Sequence, residues 1–305
     1  MSCLIATLEG DSADWVALAV LSDGRLASGS DDGTIMIWDT ASGQLSAILE
    51  GHLDLEGNPE PVYALAVLSD GRLASGSEDG TIKLWDPVTG ELQATLEGNP
   101  DLEGNPDWVY ALAALPDGRL ASGSDDGTIK IWDTASGQLQ ATLEGHSGAA
   151  VRALEVLSDG RLASGSDDGT IKIWDTVTGE LQATLEGHPD WVRALAVLSD
   201  GRLASGSDDG TIKIWDTVTG ELQATLEGHP DLEGNPDWVY ALAALSDGRL
   251  ASGAEDGIIK IWHPASGQLQ ATLEDHSDWV YALAVLPGER LASGAGDGTI
   301  MIWQL

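Results

Sequence analysis

Apolar positions along this chain fall in short runs, cut at regular intervals by Ser-Asp-Gly and Asp-Asp-Gly turns. The stretch from Leu181 to Asp216 shows the pattern. Its runs are LQATLE, WVRALAVL, RLASGS and TIKIWD, and its punctuation includes Ser199-Asp200-Gly201 and Asp208-Asp209-Gly210. Runs of about six to eight residues between turn signals predict β-strands. WVRALAVL is rich in Ala and Leu and has helical propensity, but a run so short, bounded by turns, cannot hold a helix. Spacing therefore overrides propensity, and all four runs are expected as strands.

The same unit recurs along the whole chain. LASGSDDGTIKIWD stands verbatim at Leu120 to Asp133, Leu162 to Asp175 and Leu203 to Asp216, and in altered form four more times. The Trp of each copy falls at Trp38, Trp85, Trp132, Trp174, Trp215, Trp262 and Trp303, a base unit of 41 residues with additions. Short β segments at a period of about 40 to 45 residues are the signature of propeller blades. One four-stranded antiparallel blade cannot bury both faces, whereas radial stacking buries them for every blade. The chain opens with LIATLEG, a copy of LQATLEG, and ends on TIMIWQL. Pairing of Leu4 to Glu9 with Thr299 to Trp303 would build one blade from both termini and remove two exposed sheet edges. The expected fold is all-β, a closed seven-bladed β-propeller with four antiparallel strands per blade, the last completed by the N-terminal strand, in one domain over 1–305.

Gly-His, Ser-x-Asp-Gly, Leu-Ala-Ser-Gly-Ser-x-Asp-Gly and Trp-Asp recur in that order along the chain, and in this it resembles the WD-repeat β-propeller family, in its bacterial type with highly uniform repeats. The resemblance implies a hydrogen-bonded network in each blade: a Trp indole N–H bonds a Ser hydroxyl, the Ser bonds a His, and the His bonds an Asp in the turn before the Trp strand. The complete sets would be His52, Ser75, Asp79 and Trp85; His146, Ser164, Asp168 and Trp174; His188, Ser205, Asp209 and Trp215; His229, Ser252, Asp256 and Trp262; and His276, Ser293, Asp297 and Trp303. Two blades depart from the pattern. Asp11 stands in the His position beside Ser28, Asp32 and Trp38, where two ionised carboxylates would repel. Asn99 stands there beside Ser122, Asp126 and Trp132, and an amide can still donate and accept.

Ser, His and Asp are also the residue types of a hydrolase, but a catalytic triad needs one exposed, activated Ser with an oxyanion hole beside it. Here the Ser is expected to be buried, engaged by an indole and repeated in every unit. That is construction, a set of enclosed polar groups satisfying one another. The turns offer two carboxylates each, one taken by the network, without the spacing of a calcium loop. Phosphate-loop and dinucleotide fingerprints are missing. No catalytic residue, metal or cofactor is expected.

Charge narrows the partners. The formal net charge is -36, from 14 basic and 50 acidic residues, which opposes binding to nucleic acid or to an anionic membrane. No apolar run approaches the roughly 18 residues of a membrane span, and the N-terminus lacks a charged-then-apolar signal segment. Cys3 is the only cysteine and cannot form an internal disulfide. The chain reads as soluble and cytoplasmic, and a monomer is expected, although a fragment of a larger signalling protein would read the same way.

Differences between repeats carry what functional information there is. Extra residues of the type DLEGNP lie at Asp54 to Pro59, Asp101 to Pro106 and Asp231 to Pro236, between the LQATLE run and the next long run. The resemblance places that connection on the top of the disc with the SDDG turns, and loops on a rigid scaffold are where binding is generally placed. Asp101, Glu103, Asp231 and Glu233 are candidate partner contacts; the alternative is acidic spacers spread by duplication. Aromatic residues should meet the same rim where the long run begins: Trp15, Trp108, Trp191, Trp238 and Trp279, with Tyr63, Tyr110, Tyr240 and Tyr281, and with Arg152 and Arg193 at the Tyr position of the fourth and fifth blades. The residues before the turn Asp are Asp31, Glu78, Asp125, Asp167, Asp208, Glu255 and Gly296. Aromatic rings inside an acidic rim would suit a basic partner through charge attraction and cation–π contact. The competing reading is packing between blades for the Trp and plain solvation for the acids.

Arg25, Arg72, Arg119, Arg161, Arg202, Arg249 and Arg290 are expected on the opposite end of the disc. Glu155 replaces Ala inside a long run, facing either the channel or a neighbouring blade, and His263 replaces the Asp of a Trp-Asp pair. The expected function is a non-enzymatic protein or peptide interaction scaffold or sensor binding through its acidic, aromatic top face. The alternatives are a purely structural or consensus-engineered ring without a ligand, and an enzyme using the central channel.

Overall fold

The computed structural model describes residues 3–9, 17–98, 107–230 and 235–305. Within them the chain forms seven four-stranded antiparallel sheets. In the fifth blade the order from the channel outward is Val192–Val197, Leu203–Ser207, Ile212–Trp215 and Leu222–Leu226. The outermost strand of each blade thus comes from the start of the next sequence unit. Ring closure follows from that offset: Cys3–Glu9 pairs antiparallel with Thr299–Gln304, with Leu8 opposite Ile300 and Glu9 opposite Thr299.

Packing is between blades. Ala163, Ile171, Ile173 and Leu185 of the fourth blade form one cluster with Val192, Leu195, Leu203 and Trp215 of the fifth. The Gly of the LASG run is needed here in six blades: a Cβ on Gly165 would lie 2.7 Å from Val192 Cγ1, and one on Gly206 would lie 2.6 Å from Val239 Cγ1. By contrast Gly201 is a turn glycine, with φ +88° in the Ser-Asp-Gly turn. On the bottom, arginines tie neighbouring blades together. Arg72 donates to Thr134 O at 3.1 Å, Arg119 to Thr176 O at 2.9 Å, Arg161 to Thr217 O at 2.9 Å, and Arg290 to Thr40 O at 3.1 Å across the closure.

The long runs depart from the sequence expectation at their start. WVRALAVL becomes the strand Val192–Val197, and Trp191 lies outside it. The reason is a bulge: Val192 pairs Ser207 and Ala194 pairs Gly206, so Arg193 is an extra residue. Tyr63, Tyr110, Arg152, Tyr240 and Tyr281 occupy the same place in their blades. The first blade has no such residue in its described strand. There Ala17 pairs Gly29 and Leu18 pairs Ser28 without a shift, and the sequence reads Val16-Ala17-Leu18 where the fifth blade reads Val192-Arg193-Ala194-Leu195.

Candidate binding surface

The five complete networks form as the residues imply. In each, the indole Nε1 donates to Ser Oγ at 2.8 Å. The Ser Oγ lies 2.6 to 2.8 Å from His Nε2, and His188 Nδ1 lies 2.7 Å from Asp209 Oδ2. Since the hydroxyl accepts from the indole, its own proton points to Nε2 and the imidazole proton sits on Nδ1, toward the carboxylate. Burial pushes the pKa of His52, His229 and His276 down against the pull of their Asp partners, keeping the rings neutral. The five Ser residues are 0% exposed. A hydroxyl closed off from solvent and engaged on both sides is not a nucleophile.

Asp11 and Asn99 lie outside the described residues. Their blades keep the indole–Ser bond, Trp38 to Ser28 and Trp132 to Ser122, both at 2.9 Å. In the third blade Lys130 Nζ lies 2.8 Å from Asp107 Oδ2 and 3.5 Å from Asp126 Oδ2, and Asp107 also accepts the Asp126 amide. The lysine approaches the turn Asp as Lys83 approaches Asp79 at 3.6 Å in the second blade, and what is particular to the third blade is its closer pair with Asp107. Sequence reasoning missed Asp107, whose only signal is that it sits in the one blade combining Asn at the His position with Asp-Trp before the long strand.

His188→Ala should lower the unfolding free energy by roughly 1 to 3 kcal/mol, because it strands Ser205 and Asp209 without their partner. Urea unfolding measures this directly. A change below about 0.5 kcal/mol, the range of ordinary surface substitutions, would show that the network adds nothing.

The bulge residues converge on the mouth of the channel. Tyr63, Trp108, Tyr110, Arg152, Arg193, Tyr240 and Tyr281, with Ala17 and Val62, line a cavity of ≈ 340 Å³. Below it Leu18, Leu65, Leu112, Leu154, Leu195, Leu242 and Leu283 line the channel. Around the mouth neighbouring planar groups touch, and Trp191 lies near both guanidinium groups. Tyr63 and Tyr110 have centroids 5.1 Å apart, Arg152 lies 3.9 Å over Tyr110, Arg193 lies 5.4 Å over Tyr240, and Tyr240 and Tyr281 are 5.1 Å apart. The tryptophans wedge behind this arc. Trp279 stacks on Tyr240 at 5.6 Å, Trp191 lies 4.7 Å from the Arg193 guanidinium, and Trp238 lies 5.3 Å from it. Trp191 and Trp238 remain 38% and 37% exposed, so they pack between blades and still offer a face to solvent. Trp15, Asp101, Glu103, Asp231 and Glu233 lie outside the described residues.

An unexpected pairing sets the charge of the mouth. Arg152 donates through Nε and Nη2 to Asp167 at 2.9 and 2.8 Å, and Arg193 does the same to Asp208 at 2.7 and 2.8 Å. The Tyr63 hydroxyl donates to Glu78. The pre-turn acids of these three blades therefore hold their own bulge residues, and the inner rim is less of a bare acid ring than the sequence suggests. Burial pushes the Tyr110 hydroxyl up to about 12, so it remains a donor. The sequence held only a weak signal for this pairing: both Arg blades carry Asp before the turn, but so does the Tyr110 blade, while the Tyr63 and Tyr240 blades carry Glu78 and Glu255.

The two remaining departures also have places. The Glu155 carboxyl is turned to the fifth blade, toward the Val197 amide, and burial raises its pKa to about 7. Exposed His263 closes a bottom turn, its Nδ1 accepting the Ser266 amide at 3.3 Å, as Asp133 Oδ1 accepts the Ser136 amide at 2.8 Å in the third blade. Among the described residues no group of three or more His, Cys, Asp or Glu is arranged to hold a metal ion.

Comparison with curated proteins finds no match. The repeat family described as "WD domain, G-beta repeat" matches seven times, over residues 2–39, 43–86, 90–133, 137–175, 179–216, 220–263 and 267–304. With that coverage, seven closed blades and the Trp–Ser bond in every one of them, the chain belongs to the WD40 family of β-propellers.

Proposed function

We propose that this chain is a monomeric, non-enzymatic interaction module that takes a basic protein or peptide on its top face, with an anchor residue in the channel mouth. WD40 propellers typically serve as protein-interaction scaffolds and are generally not enzymes. The observation that carries the reading is the mouth itself, a concave cavity walled by aromatic rings and two guanidinium groups held in place by carboxylates. Such a site offers large apolar area with fixed polar groups at low ordering cost. The net charge of -36 then selects the sign of the partner by long-range attraction.

Fluorescence anisotropy with a labelled hexapeptide of alternating Lys and Trp tests this. Affinity should fall as salt rises, since screening shortens the reach of the charges to roughly 8 Å at physiological ionic strength. Trp238→Ala should raise the dissociation rate, because aromatic anchors dominate interface energy. Neutralising Asp231 and Glu233 should act mainly on association. Arg25→Ala and Arg249→Ala, on the opposite face, should change nothing. Binding lost through the bottom arginines and not through the top residues would overturn the proposal, and indifference to both sets would favour a purely structural ring.

A further inference from the structure

Beside the channel mouth lies a second concave surface. The insertion of the second blade folds as a closed hairpin. Leu53 and Pro59 form a bridge, Asp54 N donates to Asn58 O at 2.8 Å, and Asp54 Oδ1 accepts the amides of Glu56 and Asn58 at 2.8 and 2.7 Å. This fixed loop holds Leu55 fully in solvent, at 104% exposure, and Leu53 at 49%. Between the hairpin and Trp108 of the third blade is a cleft of ≈ 680 Å³, with Glu60 and Glu78 among its lining residues. Trp108 also lines the mouth cavity, so the two hollows share a wall.

We propose that this cleft is a subsite for one arginine or lysine side chain of the partner, its stem between Leu55 and Trp108 and its charged head at Glu60 and Glu78. This rests on the top-face reading above and names which residue type the partner must carry and where. Two independent features meet in that residue type. The walls are apolar, with Leu53 and Leu55 exposed and Trp108 half-buried, which suits the methylene stem of a basic side chain. The floor is acidic, and its cations sit on other carboxylates: Lys83 lies 3.6 Å from Asp79 and Lys130 2.8 Å from Asp107, whereas, after burial, the Glu60 carboxyl is pushed up by Glu78, Asp54 and Asp79, and the donor on Glu78 is a neutral Tyr63 hydroxyl. An incoming cation relieves that mutual repulsion, and the indole of Trp108 adds cation–π attraction to it. The hairpin side of the cleft is preformed, which lowers the ordering cost of binding there. A second copy of this chain is a poor occupant, because both faces would carry the same sign.

The test uses the full chain with labelled Leu methyl and Trp indole groups, titrated with the capped tripeptide Gly-Arg-Gly and, separately, with Gly-norleucine-Gly. NMR shifts on Leu53, Leu55 and Trp108 with the arginine peptide, fading with added salt and absent with norleucine, are expected. Glu60→Gln with Glu78→Gln should weaken the arginine peptide about tenfold; the Gln at position 78 can still accept from Tyr63, and an unchanged spectrum elsewhere certifies the fold. Leu55→Ser should weaken it less. Shifts confined to the arc around Trp238 and Trp279 would leave the top-face function standing and overturn the subsite. Equal response to norleucine would also overturn it, by showing an apolar contact without charge recognition. No shift anywhere on the top face would overturn both readings.

Discussion

A chain lacking residues 1–9 should associate and melt roughly 5 to 8 °C below the intact protein, the largest loss expected from any single change considered for this fold. The strand Cys3–Glu9 covers Thr299–Gln304 over six paired positions, and Leu8, at 2% exposure, fills the cluster that joins the last blade to the first through Ile300, Ile302, Met36 and Trp38. Losing one buried Leu and the edge pairing costs about 3 to 5 kcal/mol, and each kcal/mol moves the midpoint by about 1.6 °C in a chain of 305 residues. Association follows from what is uncovered. Every blade already has an outer edge, but those strands end in Glu and carry a register shift, as between Ile173 and Trp174 in the fourth blade. Charge and twist together discourage pairing with another chain. Thr299–Gln304 has neither device: it is TIMIWQ, with Ile300 to Trp303 buried. Light scattering after size exclusion, with a thermal melt, reads both effects. A monomer with an unchanged midpoint would mean that the ring is held by the remaining blade contacts alone.

Much of this architecture was legible because the repeat states it seven times. Turn residues marked the strand ends, the spacing of the Trp residues counted the blades, and the copy of LQATLEG at the N-terminus located the closure. Each is a local signal that depends on spacing and not on packing. The Trp–Ser–His–Asp networks were legible only through the family resemblance, since no spacing by itself says that four side chains in different strands touch. What stayed hidden was set by register. The bulge that swings Tyr63, Arg152 and their equivalents into the mouth is a single extra residue in the pairing of two strands. A run of apolar residues looks the same whether or not one of them is skipped by the ladder. For the same reason the shorter Val16-Ala17-Leu18 of the first blade passed as an ordinary long run. The Arg152–Asp167 and Arg193–Asp208 pairs join residues 15 apart through that bulge, so the rim looked more acidic in sequence than it is in space.

Glu155→Ala should stabilise the protein by about 3 kcal/mol at pH 8 and by little at pH 4.5 or below. Six blades place a buried Ala at this position, Ala196 at 5% and Ala113 at 8% exposure among them, so the pocket is built for a methyl group. The fourth blade instead inserts a carboxyl into the seam with the fifth. Burial raises its pKa from 4.5 to about 7, and only the Val197 amide works in the other direction. Because the folded value lies above the unfolded one, the native state binds more protons than the unfolded chain between those pH values, and stability falls as pH rises through that window. Each pH unit is worth about 1.4 kcal/mol, and the loss is complete above the folded pKa. The difference between variant and parent should therefore open from pH 4.5 to pH 7 and stay constant beyond. The other ionisable groups are common to both proteins and cancel in that difference. Denaturant melts of the pair across this range, with Glu155→Gln as the variant that keeps the size and removes the charge, separate ionisation from packing. If Ala helps and Gln does not, at a gap that ignores pH, the cost is steric. If the Ala and Gln curves both diverge from the parent as pH rises, the seam between the fourth and fifth blades is the place where neutral pH strains this ring.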